Sequence, residues 1–334
     1  MNELLREHPI FLCGNPRSGT SLLRALFDGH PQVIAYPYES FFFRGFLPQA
    51  AKRDIDGKVD LASRYLLQFM GLRREMVEDF ENFHPNESTV HEFAEMCLSI
   101  QHQIVANGYR HDGDLLAAAV LAFGEVYGFV DENSRFWLEK SIYNEFFADQ
   151  IYSWWPDARC IHLVRDPRDV FASYQPRRRN VLARKFSLRW ARSVEKGLEN
   201  QKVFGKDRYL LINYEQLVND LEGTMHQLAE FLGITDHQIL RVPSLMGEPW
   251  KANSTFSEKF SEISSKPIGR WKTEIPARDV QIIEQIAKKP MSDLGYPAET
   301  HWSLLTSLLI LRGYLSFYRD ALKNIDPIDI YGVE

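Results

Sequence analysis

Cysteine is scarce in this 334-residue chain: Cys13, Cys97 and Cys160 are the only three, and none forms a C-x-x-C pair. An odd, scattered set excludes a disulfide framework. Cys13 and Cys160 each lie inside an apolar run, the pattern of buried, inert thiols. Long apolar runs are also missing. The best, Leu304–Leu311 and Leu115–Phe123, fall far short of the ~20 residues a spanning helix needs, so no membrane association is expected. The opening MNELLREHPIFL puts charges where a signal peptide has its apolar region, so the expected location is the cytoplasm. Excess positive charge is absent as well. Lys and Arg number 39 against 45 Asp and Glu, a net of −6, which excludes a highly basic chromatin-type protein. There are no internal repeats and no low-complexity segment. What remains is 45% hydrophobic and 25% charged, an ordinary globular balance with length for one large α/β domain or two smaller ones.

Short apolar runs set the frame. Pro9–Cys13 reads as a buried strand, followed by the glycine loop GNPRSGTS and an amphipathic helix over Leu22–Asp28, closed by Gly29-His30-Pro31. Tyr127–Val130, Cys160–Val164 and Tyr209–Ile212 read as further strands. Helical patterns over Ile142–Trp154, Asp169–Tyr174 and Leu217–Leu232 follow them. Alternating strands and helices predict an α/β fold, a P-loop-type parallel sheet flanked by helices. Between Phe41 and Gly124 only 3.6-residue periodicity is found (Leu61–Phe69, Val90–Val105, Leu115–Phe123). We read that stretch as a helical insertion within a single domain spanning residues 1–334. Trp302–Leu322 reads as a C-terminal helix.

The segment Gly14-Asn15-Pro16-Arg17-Ser18-Gly19-Thr20-Ser21 has the spacing G-x-x-x-x-G-x-[ST]. Glycines let backbone N–H groups close on an anion, and the following helix N-terminus adds its dipole. A triphosphate-binding loop carries Lys where Thr20 stands. Arg17 places the positive charge earlier, and two hydroxyls, Thr20 and Ser21, open the helix. This combination favours a single 5′-phosphate-centred anion over ATP or GTP.

A second basic region lies at Arg159–Arg192, with ten cations against Asp166 and Asp169, a net of +8. Such segregation implies an anionic partner. Arg165 ends an apolar strand, at the edge where open parallel sheets bind ligands. Ser173 follows eight residues later on the next helix, so the two can hold a second phosphate between them.

With these residues in place the chain resembles the sulfotransferases. NPRSGTSLLRALFDGHPQV is similar to their 5′-phosphosulfate loop, CIHLVRDPRDVFASY to their 3′-phosphate segment, and PIGRWKTEIP to the late loop that closes over the nucleotide. The protein-tyrosine branch looks nearest, through the LxKS-like Leu138-Glu139-Lys140-Ser141, the YEQLV run at Tyr214–Val218 and FLGI at Phe231–Ile234. The resemblance implies 3′-phosphoadenosine-5′-phosphosulfate (PAPS) as co-substrate and adenosine 3′,5′-bisphosphate as product. It also implies a hydroxyl-bearing acceptor: a small molecule, a glycan or a peptide tyrosine. The Phe41–Gly124 insertion matches nothing in the family and is where acceptor choice is expected.

The resemblance implies roles residue by residue. Arg17 and Lys140 neutralise the charge that develops in transfer, so no metal is required. Lys140 is expected just ahead of a helix. The cytosolic branch has a His base two residues after that lysine, where Ile142 stands here. The tyrosine-type branch has a Glu after the His-Pro turn, which Glu39 matches with one extra residue of spacing. Ser254 resembles a serine near the transferred group. Tyr214 and Arg177 resemble nucleotide contacts, with Arg270 and Lys272 flanking Trp271 beside them. Ser18 and Gly19 complete the loop. Phe41-Phe42-Phe43 and Phe46 line either an acceptor pocket or a core. Two rivals stay open: a P-loop small-molecule kinase, and a non-catalytic nucleotide- or nucleic-acid-binding protein using the Arg177–Arg192 cluster. A nucleic-acid partner is not expected, because no recognised motif accompanies that cluster.

Overall fold

The computed structural model describes residues 3–67, 87–174, 181–250 and 264–300. Five parallel strands form its main sheet: β1 Pro9–Cys13, β2 Val33–Ala35, β3 Phe136–Lys140, β4 Arg159–Val164 and β5 Tyr209–Asn213. Their order is β2-β3-β1-β4-β5. All five residues of β1 are buried, as expected of a central parallel strand covered on both faces. The chain leaves β1 toward β2 and β3 on one side and later crosses to β4 and β5 on the other. The crevice outside the carboxyl ends of β1 and β4 is therefore a topological switch point.

Side chains alternate across the sheet. Ile10 and Leu12 pack with Leu23, Leu26 and Phe27 of the Thr20–Phe27 helix and with Leu217, Leu228 and Leu232. Phe11 and Cys13 face Trp137, Trp155, Phe42, Phe46 and the Gly113–Val126 helix. A third cluster around Trp190, Phe171, Trp271 and Ile283 joins the Pro167–Tyr174, Ala183–Phe204 and Ala277–Ile286 helices. Between β2 and β3 the described chain is helical and contains no strand. No described helix is long and apolar enough to cross a membrane, and Cys13, Cys97 and Cys160 are all free.

Three sequence-based boundaries are corrected. Tyr127–Val130 is not a strand. It is the C-terminal closure of the Gly113–Val126 helix, with Gly128 at φ 71° and the Phe129 and Val130 N–H groups donating to the Gly124 carbonyl. Its apolar side chains pack over the core beside that helix, which explains the misleading pattern. The strand is instead Phe136–Lys140, whose Glu139 and Lys140 break the apolar run. Consequently Lys140 ends a strand; the expected Ile142–Trp154 helix starts as a 3₁₀ turn at Asn144–Phe147 and becomes α-helical at Ala148–Trp154. The Leu217–Leu232 pattern splits at Asp220, which accepts the Gly223 N–H at 3.0 Å and caps a second helix, Leu221–Leu232. The Trp302–Leu322 helix lies outside the described residues.

Candidate active site

The glycine loop Gly14–Ser21, here named the phosphate loop for the ligand expected of it, joins β1 to the Thr20–Phe27 helix. Gly14 and Gly19 have φ of 142° and 98°. A Cβ on Gly14 would sit 2.6 Å from the Leu163 carbonyl oxygen, and one on Gly19 would sit 2.4 Å from the Tyr214 ring. Both glycines are thus required by close approach as well as by backbone conformation. Arg17 adopts a positive φ of 71° without being glycine, a conformation that clusters at ligand clamps. Ser18 and Thr20 are buried, and Ser18 Oγ has no hydrogen-bond partner among the described residues. Ser21 is half-buried at the helix start.

Arg165 follows β4 and is 7% exposed. Its guanidinium donates to the Arg17 carbonyl at 3.3 Å and to the Pro267 carbonyl at 2.8 Å. Its Cζ lies 4.5 Å from the centre of the Tyr214 ring. Its Nε, also buried, has no partner among the described residues. Two buried donors are therefore orphaned here, Ser18 Oγ within the loop and Arg165 Nε on the guanidinium that bonds the Arg17 carbonyl. Tyr214 opens the helix after β5, and burial raises its hydroxyl pKa against the pull of Arg165. Ser173 is buried on the Pro167–Tyr174 helix and donates to the Val170 carbonyl at 2.7 Å.

The late loop is pinned to this edge by Asp169, which accepts the Gly269 N–H at 2.7 Å and the Trp271 N–H at 3.1 Å. Burial pushes the Asp169 carboxyl up, and these two donors oppose that rise. Arg270 acts electrostatically on Tyr214. Lys272 is exposed and its ammonium lies 3.0 Å from Glu299. Ser254 and Arg177 lie outside the described residues. Within the basic region, Arg168 is committed to Asp166 and Glu284, with ion-pair distances of 2.7 Å to each. Glu284 lies outside the counted span, so the +8 count overstates the charge available to a ligand by that one carboxylate.

At the end of β3 the Lys140 ammonium is ion-paired with Glu39, and their side chains are only 7% and 17% exposed. Phe42, Phe43 and Phe46 are buried in the core. Stacked contacts of Phe43 with Phe147 and Trp154 show them as packing rather than pocket-lining side chains. No cluster of three or more His, Cys, Asp or Glu side chains able to hold a metal occurs among the described residues.

Two carboxylates escaped sequence reasoning. Glu145 is fully buried and accepts the Gly14 N–H at 3.0 Å. Ser193 of the Ala183–Phe204 helix donates to its other oxygen. Burial pushes its pKa up to about 7. Glu139, also fully buried, accepts from Ser40, Ser141 and Asn144. The available signal was an acid inside the apolar run FWLEKSIYNEFF, since lone acids are almost never fully buried without partners.

The chain is similar to known sulfotransferases. The chain is 23% identical over 305 residues to protein-tyrosine sulfotransferase 2 of Gallus gallus, covering 87% of this chain and 70% of that protein. It is 24% identical over 312 residues to the protein-tyrosine sulfotransferase of Drosophila melanogaster, covering 87% of this chain and 52% of that protein. The sulfotransferase domain of the Synechococcus PCC 7002 olefin synthase shares the fold, with a TM-score of 0.52 and 20% identity, covering 87% of this chain and 95% of that one. A family model described as "Sulfotransferase family" matches residues 9–238, and the chain belongs to that family.

Proposed function

We propose that this protein transfers a sulfuryl group from PAPS to the hydroxyl of an acceptor and releases adenosine 3′,5′-bisphosphate. The observation that carries the reading is the pair of orphaned buried donors at one switch point, Ser18 Oγ in the phosphate loop and Arg165 Nε beside it. They fit a ligand with two separate anions. The loop N–H groups, Ser18, Thr20 and Ser21 hold the 5′ side; Arg165 and Ser173 read the 3′-phosphate, with Tyr214 and Arg270 beside them.

Bound there, PAPS supplies an activated sulfuryl group whose transfer is an in-line displacement. The protein's share is positioning and charge stabilisation. Glu39 takes the acceptor's proton as general base. As it does so, its carboxylate loses the charge that holds Lys140. The ammonium is then free to meet the negative charge gathering on the leaving oxygen, with Arg17 on the loop side. The Glu39–Lys140 ion pair thus couples deprotonation of the acceptor to stabilisation of the leaving group. The kinase reading lacks the lysine it requires, because Thr20 occupies that position.

The test is incubation with sulfur-labelled PAPS and a panel of phenols, alcohols, glycans and a tyrosine peptide. The expected result is label transfer to at least one acceptor class, abolished in Lys140→Ala. No label transferred, together with phosphate transfer from ATP and magnesium, would replace this reading with the kinase.

A further inference from the structure

The backbone ladder between β2 and β3 runs from Val33–Phe136 to Ala35–Leu138, with one more bond from the Tyr36 N–H to the Leu138 carbonyl. Beyond it, side chains take over the pairing. Lys140 reaches Glu39. Glu139, pointing to the opposite face of the strand, reaches Ser40: its Oε1 accepts the Ser40 N–H at 3.2 Å and the Ser40 hydroxyl at 2.7 Å. Two consecutive residues on one segment are thus bridged to two consecutive residues on the other, one bridge per face.

The buried bridge extends further. The Ser141 hydroxyl donates to Glu139 Oε1 and accepts the Phe41 N–H at 3.0 Å. Asn144 Nδ2 donates to Glu139 Oε2 at 2.8 Å and lies 3.3 Å from the Leu12 carbonyl, one residue before Cys13 and the phosphate loop. Phe41 itself sits at φ 48°, a left-handed conformation that is costly for a bulky residue and persists only where its surroundings hold it. A π-helical turn, Phe42–Phe46, follows at once; such turns recur at functional sites. Burying a carboxylate is expensive unless donors satisfy it. Here every donor comes from a residue adjacent to Glu39, adjacent to Lys140 or tied to β1.

We propose that Glu139 is a positioning residue that fixes Glu39 and Lys140 relative to each other and to the phosphate loop. The inference rests on the function proposed above for that pair. Glu139 does not touch substrate; it acts by removing the freedom of the Glu39–Phe41 segment.

Glu139→Gln tests it, because an amide cannot accept from all of these donors. The readout is competitive labelling of Lys140 by acetic anhydride, followed by mass spectrometry. Lys58, paired with Asp112 in the insertion, is the internal reference. The Lys140-to-Lys58 labelling ratio is expected to rise at least 5-fold. Turnover is expected to fall at least 10-fold, with KM for PAPS and the Kd for adenosine 3′,5′-bisphosphate changed less than 2-fold. Where Glu139→Gln does not fold, Ser141→Ala removes one donor and is expected to raise the labelling ratio 2- to 5-fold. An unchanged ratio in whichever variant folds overturns the proposal. The labelling needs no reaction, so its outcome is separate from a failure of the wild type to use PAPS, which would overturn the proposed function instead.

Discussion

Glutamine at position 145 should make the protein's stability less sensitive to pH. Glu145 lies beneath the phosphate loop, accepting the Gly14 N–H and the Ser193 hydroxyl, and burial lifts its pKa from an ordinary 4.5 to about 7. Below pH 4.5 the carboxyl is protonated in both folded and unfolded chains, and its contribution to stability is fully present. Between pH 4.5 and 7 the unfolded chain releases the proton first, so stability drains away as pH rises; above 7 the loss is complete. At ~1.4 kcal/mol per tenfold in proton affinity, the total is about 3 kcal/mol. A chain of 334 residues has an unfolding entropy of about 0.7 kcal/mol/K, so this is about 4–5 °C in Tm. Glu145→Gln keeps a carbonyl oxygen for Gly14 and never ionises. Its Tm relative to wild type is expected to rise by about 3–4 °C between pH 5 and pH 8, read by thermal unfolding across that range. Every other titrating group is common to both proteins and cancels in the difference. Parallel curves would mean that Glu145 does not change its proton occupancy on folding, and would rule out this role for it.

Other outcomes follow from the same geometry. Gly19→Ala puts a Cβ 2.4 Å from the Tyr214 ring at φ 98°. It should cost ~1–3 kcal/mol in denaturant unfolding and weaken adenosine 3′,5′-bisphosphate binding in calorimetry. Lys140→Ala and Glu39→Gln should each reduce labelled-sulfuryl transfer by about 100-fold or more, with the product's Kd within ~3-fold of wild type. Unchanged turnover in both would remove the ion pair from the mechanism.

The sheet's central strands were legible because parallel strands buried on both faces read as unbroken apolar runs, as in PIFLC and CIHLV. β3 was missed for the opposite reason. Its last two residues are charged, Glu139 buried in a hydrogen-bond network and Lys140 ion-paired with Glu39. β2 has only three residues, too few to show a period. The placement of the glycine loop between β1 and a helix was legible from its spacing, and that of Arg165 from the apolar run it ends. The Phe42–Phe46 turn was ambiguous in sequence, because aromatic side chains can serve a core as readily as a pocket; the core takes them. Glu139 and Glu145 showed in sequence only as acids inside an apolar run, because their distant partners Ser40, Ser193 and Gly14 are brought to them by sheet order and helix packing.

The proposed chemistry needs two anion sites to meet at the switch point, one in the phosphate loop and one at Arg165 and Ser173. Calorimetric titration of wild type, Arg165→Ala and Ser173→Ala with adenosine 3′,5′-bisphosphate and with AMP tests it most directly. The wild type is expected to bind the bisphosphate at micromolar Kd and at least ~10-fold more tightly than AMP. Arg165→Ala should lose ~10- to 100-fold for the bisphosphate, the worth of a charge-assisted contact, with little change for AMP. Ser173→Ala should show a smaller loss of the same kind. A wild type that binds both nucleotides equally weakly, or an Arg165→Ala that weakens both equally, would contradict it.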